Sequence, residues 1–311
     1  MVQFQDQSKP LPRWKLIGRC TVSSISVLFF QFSLSLVPRF FSASPLLIQL
    51  SLSAVVLLVI LGLGRWCRRI LGVRASAPAF VFFNLLFIWA VYLAVIREAV
   101  SWLIGIVFNG EVILLIIGLC SILSSNPGLV TYGSSFPNEL GGSSVADEGH
   151  NEGSDLGRRV RYCRSCKRYV KGFDHHCPAF GNCIGQNNHA LFMVLLAGFL
   201  ATEALYIVCS YQFAAKSQII DRATLEPSLS ENLAISTMLF AILQLVWQVV
   251  FMTWHMHCIC LNIRTEEWIN WKKYPEFQQV VQSQSGENEV RFQNPYDKGI
   301  AENVKEFLAL E

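Results

Sequence analysis

Apolar residues in this chain gather into six long stretches, at 20–38, 45–64, 78–96, 102–123, 191–214 and 232–254. A helix needs about 20 apolar residues to cross a hydrocarbon layer about 30 Å thick, and each stretch comes near that length. The pattern predicts an all-α polytopic membrane protein with about six transmembrane helices. The stretch at 20–38 is the least apolar, being rich in serine and interrupted by Gln31; an interfacial or re-entrant helix is its alternative reading. The intervening polar segments complete the map. An N-terminal tail spans 1–19, four spans fall within 20–123, and a linker runs over 124–157. A small module follows at 158–190, then two spans within 191–261 and a C-terminal tail at 262–311. Residues 133–157 are mostly Gly, Ser, Asn, Asp and Glu, too polar to bury a core, and are expected to be a flexible linker.

Composition sharpens this picture. The 311 residues are 52% hydrophobic and 15% charged, where a soluble protein carries about 25% charged residues. The net charge of +3 is too small to argue for a nucleic-acid partner. Its distribution says more: with six spans, 21 Lys and Arg fall on the side holding both termini and the segment 124–190, against 4 on the other. That bias predicts a cytosolic location for both termini and for the module at 158–190. Lys9, Arg13, Lys15 and Arg19 open the chain with no apolar run before them, so no cleavable signal is expected and the first span would act as its own insertion signal.

The module carries the chemistry. It reads Tyr162-Cys163-Arg-Ser-Cys166, then Asp174-His175-His176-Cys177-Pro178-Ala179, then Asn182-Cys183-Ile-Gly185. Cys163 and Cys166 have the two-residue spacing with which two thiolates share a tetrahedral zinc. A segment of about 30 residues buries too little to fold unaided, and a metal would supply the missing stability. Reduced cytosolic thiols also favour metal over disulfides. Spacing leaves open which of His175, His176, Cys177 and Cys183 complete the site. A purely structural knuckle is the plain alternative, but such a site uses all its ligands, and here Cys and His are in surplus.

From Cys163 to Phe192, including Asn182-Cys-Ile-Gly185, Asn188 and Phe192, the sequence resembles the cysteine-rich domain of the Asp-His-His-Cys protein acyltransferases. Outside it, Ser125-Asn-Pro-Gly128 is similar to that family's Asp-Pro-Gly motif, and Arg264-Thr265-Glu266-Glu267 to its Thr-Thr-x-Glu motif. Asn294-Pro-Tyr296 through Asn303 and Phe307 resembles its C-terminal element. The resemblance implies zinc ligation by Cys163, Cys166, His176 and Cys183. It leaves Cys177 free as nucleophile, with His175 and Asp174 as its activating pair. It also implies acyl-CoA as co-substrate, and membrane-associated proteins with cytosolic cysteines as acceptors of a long acyl chain. Departures are visible: Tyr162 and Tyr169 replace a usual His and Cys of a second zinc site, so a single zinc is expected. Ala179 replaces a usual Trp, and Arg264 the first Thr. Most members have four spans, so two additional N-terminal ones are implied here.

In chemical terms, a free thiol is only a few per cent ionised at pH 7. His175 beside Cys177 would accept its proton, Asp174 would orient the imidazole, and Lys167, Arg168 and Lys171 would favour negative sulfur. Asp174 as acceptor for a ligand histidine is the plainer alternative. No residue is singled out for gripping CoA. Glu111 and Glu203 near span centres, with Gln244 and Gln248 as partners, suit either a functional site or internal hydrogen bonding. Cys67, Cys258 and Cys260 are candidate lipidation sites; the cluster of His255, His257, Cys258 and Cys260 reads as interfacial packing, with a second metal site as its alternative; Trp268 and Trp271 suit an interfacial belt. The rival functions are a zinc-stabilised membrane adaptor and a transporter built on the two glutamates. Endomembranes (Golgi or ER) and the plasma membrane are equally compatible with the spans.

Overall fold

A computed structural model describes residues 12–130, 159–220, 228–282 and 288–309. Six helices are long and apolar enough to cross a membrane. They are α1 (Arg13–Phe40), α2 (Leu46–Ile70), α3 (Ala77–Val91, continued by a π-helical turn at Tyr92–Ile96), α4 (Trp102–Ser124), α5 (His189–Ile220) and α6 (Leu229–Cys260). The expected stretches all appear as helices, several of them longer than the apolar run, as in α1, α5 and α6, which extend beyond it at both ends. The expected N-terminal tail therefore stops short of residue 19, because α1 begins at Arg13. Three small antiparallel hairpins add to the helical fold: β1 (Val160–Cys163) with β2 (Arg168–Lys171), β3 (His175–Cys177) with β4 (Asn182–Ile184), and β5 (Gln278–Gln282) with β6 (Asn288–Phe292). Two short helices, α7 (Thr265–Asn270) and α8 (Ile300–Ala309), complete the order. Most of the expected linker, 131–157, lies outside the described residues.

Two compact units divide the chain. The first combines Met1–Ile116 with Ala201–Val246. Here α1 packs on α2 and α3 around Phe30, Leu34 and Phe240, and the Phe30 and Phe240 rings meet edge to face at 4.9 Å. Gln31, which weakened the first stretch as a span, is fully buried and donates to Asn84 Oδ1 at 2.8 Å. A polar side chain inside an apolar bundle needs such a partner, and pairs of this kind contribute about 0.6–2 kcal/mol. Across the same unit, Tyr206 and Thr237 share a hydroxyl hydrogen bond of 2.7 Å. Glu203 is also buried here.

The second unit, Ile117–Leu200 with Trp247–Glu311, holds the Cys/His module. Val170, Phe173, Cys163 and Cys183 form its small core. Gly185 sits where an added Cβ would lie 2.3 Å from the Pro127 carbonyl oxygen and 2.6 Å from Val170 Cγ1, so only glycine allows this approach. Asn126 Oδ1 accepts from the N–H groups of Gly128 and Leu129. That turn, with Gly128 at φ +99°, delivers Leu129 to pair with Val170. Asn182 donates to the Ile122 and Ser125 carbonyls, 2.9 Å each, and so caps the end of α4. The C-terminal segment folds in part: Ile263, Phe277 and Tyr296 bury with Cys258 in a second core. Trp268 and Trp271 pack against that core, with rings edge-on to Phe292.

Candidate active site

The β3–β4 hairpin sorts the surplus of Cys and His. Side chains of successive strand residues point to opposite faces, so His175 and Cys177 share one face and His176 takes the other. Directly opposite His176 in the register stands Cys183, which shares its face. The β1–β2 hairpin brings Cys163 and Cys166 to the same place. The ligating atoms of Cys163, Cys166, His176 and Cys183 all lie within 4.8 Å of one another. Cys166 Sγ is 3.4 Å from both His176 Nδ1 and Cys183 Sγ, and Cys183 Sγ is 3.7 Å from His176 Nδ1. A tetrahedral zinc with ordinary bond lengths sets its ligands about 3.5–3.8 Å apart, so this donor set fits one zinc ion with His176 binding through Nδ1. Burial lowers the His176 pKa, which keeps its imidazole in the neutral, ligating form. Burial raises the Cys166 and Cys183 thiols, and a bound dication is the charge that would reverse this.

On the opposite face, Asp174 Oδ2 accepts a 2.7 Å hydrogen bond from His175 Nδ1, and the neighbouring Cys177 thiol is among the groups that raise the His175 pKa. Asp174 is fully buried. Burial alone would raise its pKa, but the His175 hydrogen bond and the fields of His189, His175 and His255 hold it well below the usual carboxylate range. For His175, burial opposes the charge; the hydrogen bond with Asp174 and the neighbouring Cys177 outweigh it and push the imidazole up to about 9. The result is a strongly basic imidazole between a fixed anion and a thiol, outside the metal cluster.

Three segments remote in sequence hold this line. The Thr265 N–H donates to Asp174 Oδ1 at 2.9 Å, and the Glu266 N–H to the Asp174 carbonyl at 3.0 Å. Glu267 Oε2 accepts from the Arg264 N–H at 2.9 Å, an N-terminal cap for α7, and pairs with Arg159 through both carboxylate oxygens. The Arg159 guanidinium lies over the Tyr296 ring, 4.3 Å from its centroid, and donates to Asn262. Asn303 in α8 donates to the Cys260 carbonyl at 2.8 Å. Arg264, in place of the threonine the resemblance led one to expect, is buried and donates to His189 Nδ1. Burial and Arg159 lower its pKa to about 10.

Sequence reasoning singled out seven candidate site residues and did not single out the groups that face them. His255, read as interfacial packing, is 1% exposed, with Nδ1 3.8 Å from Asp174 Oδ2. Its position directly after the last apolar stretch, still within α6, was the available signal, obscured by His257, which is exposed. Cys258, a candidate for lipidation, is 1% exposed and belongs to the second core, so an acyl group has no access to it. Cys67 is exposed and Cys260 partly so. Tyr162 and Tyr169, where a second zinc site is usual in the resemblance, face each other across β1 and β2 with ring centroids 5.1 Å apart.

Residues 155–272 match the family described as DHHC palmitoyltransferase. Similar curated proteins include palmitoyltransferase ZDHHC17 of Homo sapiens, 26% identical over 48% of this chain and 24% of its own length. Palmitoyltransferase Hip14 of Drosophila melanogaster is 30% identical over 48% of this chain and 23% of its length. "Probable protein S-acyltransferase 1" of Arabidopsis thaliana is 29% identical over 48% and 39%. This chain thus spans about a quarter of the first two relatives.

Proposed function

We propose that this chain, which carries a DHHC palmitoyltransferase domain at residues 155–272, is a multi-pass membrane protein S-acyltransferase using Cys177 as its acyl carrier. The observation that carries this reading is the division of the β3–β4 hairpin. Its metal-ligating side chains share one face, and His175 and Cys177 take the other, with His175 hydrogen-bonded to Asp174 and Cys177 among the groups that raise the His175 pKa. An adaptor held by zinc has no use for that Asp174–His175–Cys177 line. Zinc, held by Cys163, Cys166, His176 and Cys183, would cross-link the two hairpins and fix the line's geometry.

In the first step His175 accepts the Cys177 thiol proton, and Asp174 stabilises the resulting imidazolium. Cys177 Sγ attacks the carbonyl carbon of a long-chain acyl-CoA. The carbon–sulfur bond to CoA breaks, and the departing CoA sulfur takes the proton back from His175. In the second step an acceptor cysteine gives its proton to His175 and attacks the acyl-Cys177 thioester; Cys177 leaves as a thiol. Palmitoyl is the chain this reading favours, and membrane-associated proteins are the acceptors. The excess of Lys and Arg beside the module argues for its cytosolic placement.

Intact-mass spectrometry of the full chain incubated with palmitoyl-CoA tests this directly. Wild type is expected to gain one acyl mass that hydroxylamine removes, and Cys177→Ser to gain none. Equal labelling of the two proteins would sink the mechanism. No labelling of a fully metallated wild type would favour the adaptor.

A further inference from the structure

Asp174 is the most enclosed ionised group of the proposed reaction line, and its hydrogen bonding is incomplete. Oδ1 accepts from the Thr265 N–H and Oδ2 from His175 Nδ1. A carboxylate oxygen takes two donors, and Asp174, at 0% exposure, does not reach bulk water. Around it stand His175, His189, Arg264 and His255. His189 accepts the Arg264 N–H at its Nδ1, which places its own proton on Nε2. His189 Nε2 and His255 Nδ1 are both buried without a hydrogen-bond partner; His255 differs in that its Nδ1 faces Asp174 Oδ2 from 3.8 Å. That gap exceeds a hydrogen bond by less than about 1 Å. The ring is caged by Phe251 at 4.6 Å and Phe192 at 5.0 Å, both edge to face, and lies 5.5 Å from the His175 ring.

We infer that His255 is a positioning residue for acyl transfer, its Nδ1–H closing on Asp174 Oδ2 opposite His175 and fixing the carboxylate that aims the His175 imidazole at Cys177. A buried acceptor with a lone pair left over is stabilised by a neutral donor brought to it. With Oδ1 pinned by the backbone of α7 and Oδ2 held from two sides, the carboxylate cannot rotate. His175, tied to that oxygen, then keeps one orientation through both proton transfers. In this role His255 acts through Asp174 and not on the thiol itself. This inference rests on the acyl-carrier reading above.

The test measures the rate of Cys177 acylation against palmitoyl-CoA concentration for the full chain in detergent micelles, with metal content and Cys177→Ser alongside. His255→Phe keeps an aromatic ring in the cage and removes the donor. It is expected to lower the limiting rate about 10- to 100-fold, with the acyl-CoA KM within about twofold and the metal retained. His255→Asn returns an amide N–H near the Nδ1 position and is expected to recover most of that loss. If the phenylalanine variant sheds its metal, His255→Leu replaces it with the same expected result. A donor-less variant as fast as wild type overturns the inference, and so does an asparagine variant as slow as the donor-less ones. Failure of the underlying reading looks different: wild type and Cys177→Ser would then label alike, whatever stands at 255.

Discussion

Asp174 and His175 make a prediction that belongs to single residues. The imidazole is raised from 6.5 to about 9, chiefly through the Asp174 hydrogen bond and the neighbouring Cys177, which overcome burial. A group raised in the folded state adds stability that is complete below its unfolded value and is lost as pH climbs through its folded one. In Asp174→Asn the principal raising charge is gone. Wild type is therefore expected to exceed this variant in thermal stability most at about pH 6, the gap narrowing as pH rises through about 9. Melting curves of both proteins across that range check it; a gap that widens with pH would contradict the pairing. Gly185 offers a second test at this scale. A methyl group there collides with the Pro127 carbonyl and Val170, and backbone has no rotamer with which to retreat. Gly185→Ala is expected to destabilise the module by about 1–3 kcal/mol, read as lowered resistance to denaturant and faster alkylation of Cys183.

Among elements, the start of α7 carries the largest electrostatic commitment. Glu267 is 1% exposed and is held by Arg159, which comes from the edge of β1. Removing one partner of such a pair strands the other charge away from water, at about 3–5 kcal/mol. Arg159→Met is expected to loosen α7 and, through the Thr265 N–H bond, the Asp174 carboxylate. The prediction is a stability loss of that order with acylation reduced alongside it. A variant that loses stability but acylates at the wild-type rate would show α7 to be a fastening without influence on the site. In the β1–β2 hairpin, Tyr162 and Tyr169 form a cross-strand aromatic pair, which contributes about 0.5–1 kcal/mol. It stands where a second metal would otherwise join the strands.

For the molecule as a whole, the two units rest on different stabilising forces. The first is built from apolar helix packing with isolated polar pairs such as Gln31–Asn84. The Cys/His module has a core of only a few side chains; under the proposed reading, zinc at its ligand cluster would add stability on the order of 10 kcal/mol, as in other small domains. Elemental analysis is expected to find one zinc per chain. Chelation is expected to open residues 159–190 to protease and to abolish acylation while the helical content of the spans persists. Two zinc ions per chain, or a chelated protein that still acylates, would contradict this division.

Hydropathy alone set the number of spans, since the length of an apolar run is a local property that a bilayer reads directly. The Cys-x2-Cys spacing and the surplus of Cys and His announced a metal site for the same reason: close ligands are local. Which of His175, His176, Cys177 and Cys183 belong with the metal followed, from sequence, only by resemblance. The tertiary structure sorts them by strand alternation, His176 pairing across the hairpin with Cys183 while His175 and Cys177 turn away. That Thr265 holds Asp174, that Arg159 neutralises Glu267, and that His255 faces the same carboxylate required contacts between residues 80 to 110 positions apart. Such contacts depend on how helices and hairpins pack. The surroundings that tune a titratable group are a property of that packing, and no window of sequence contains them.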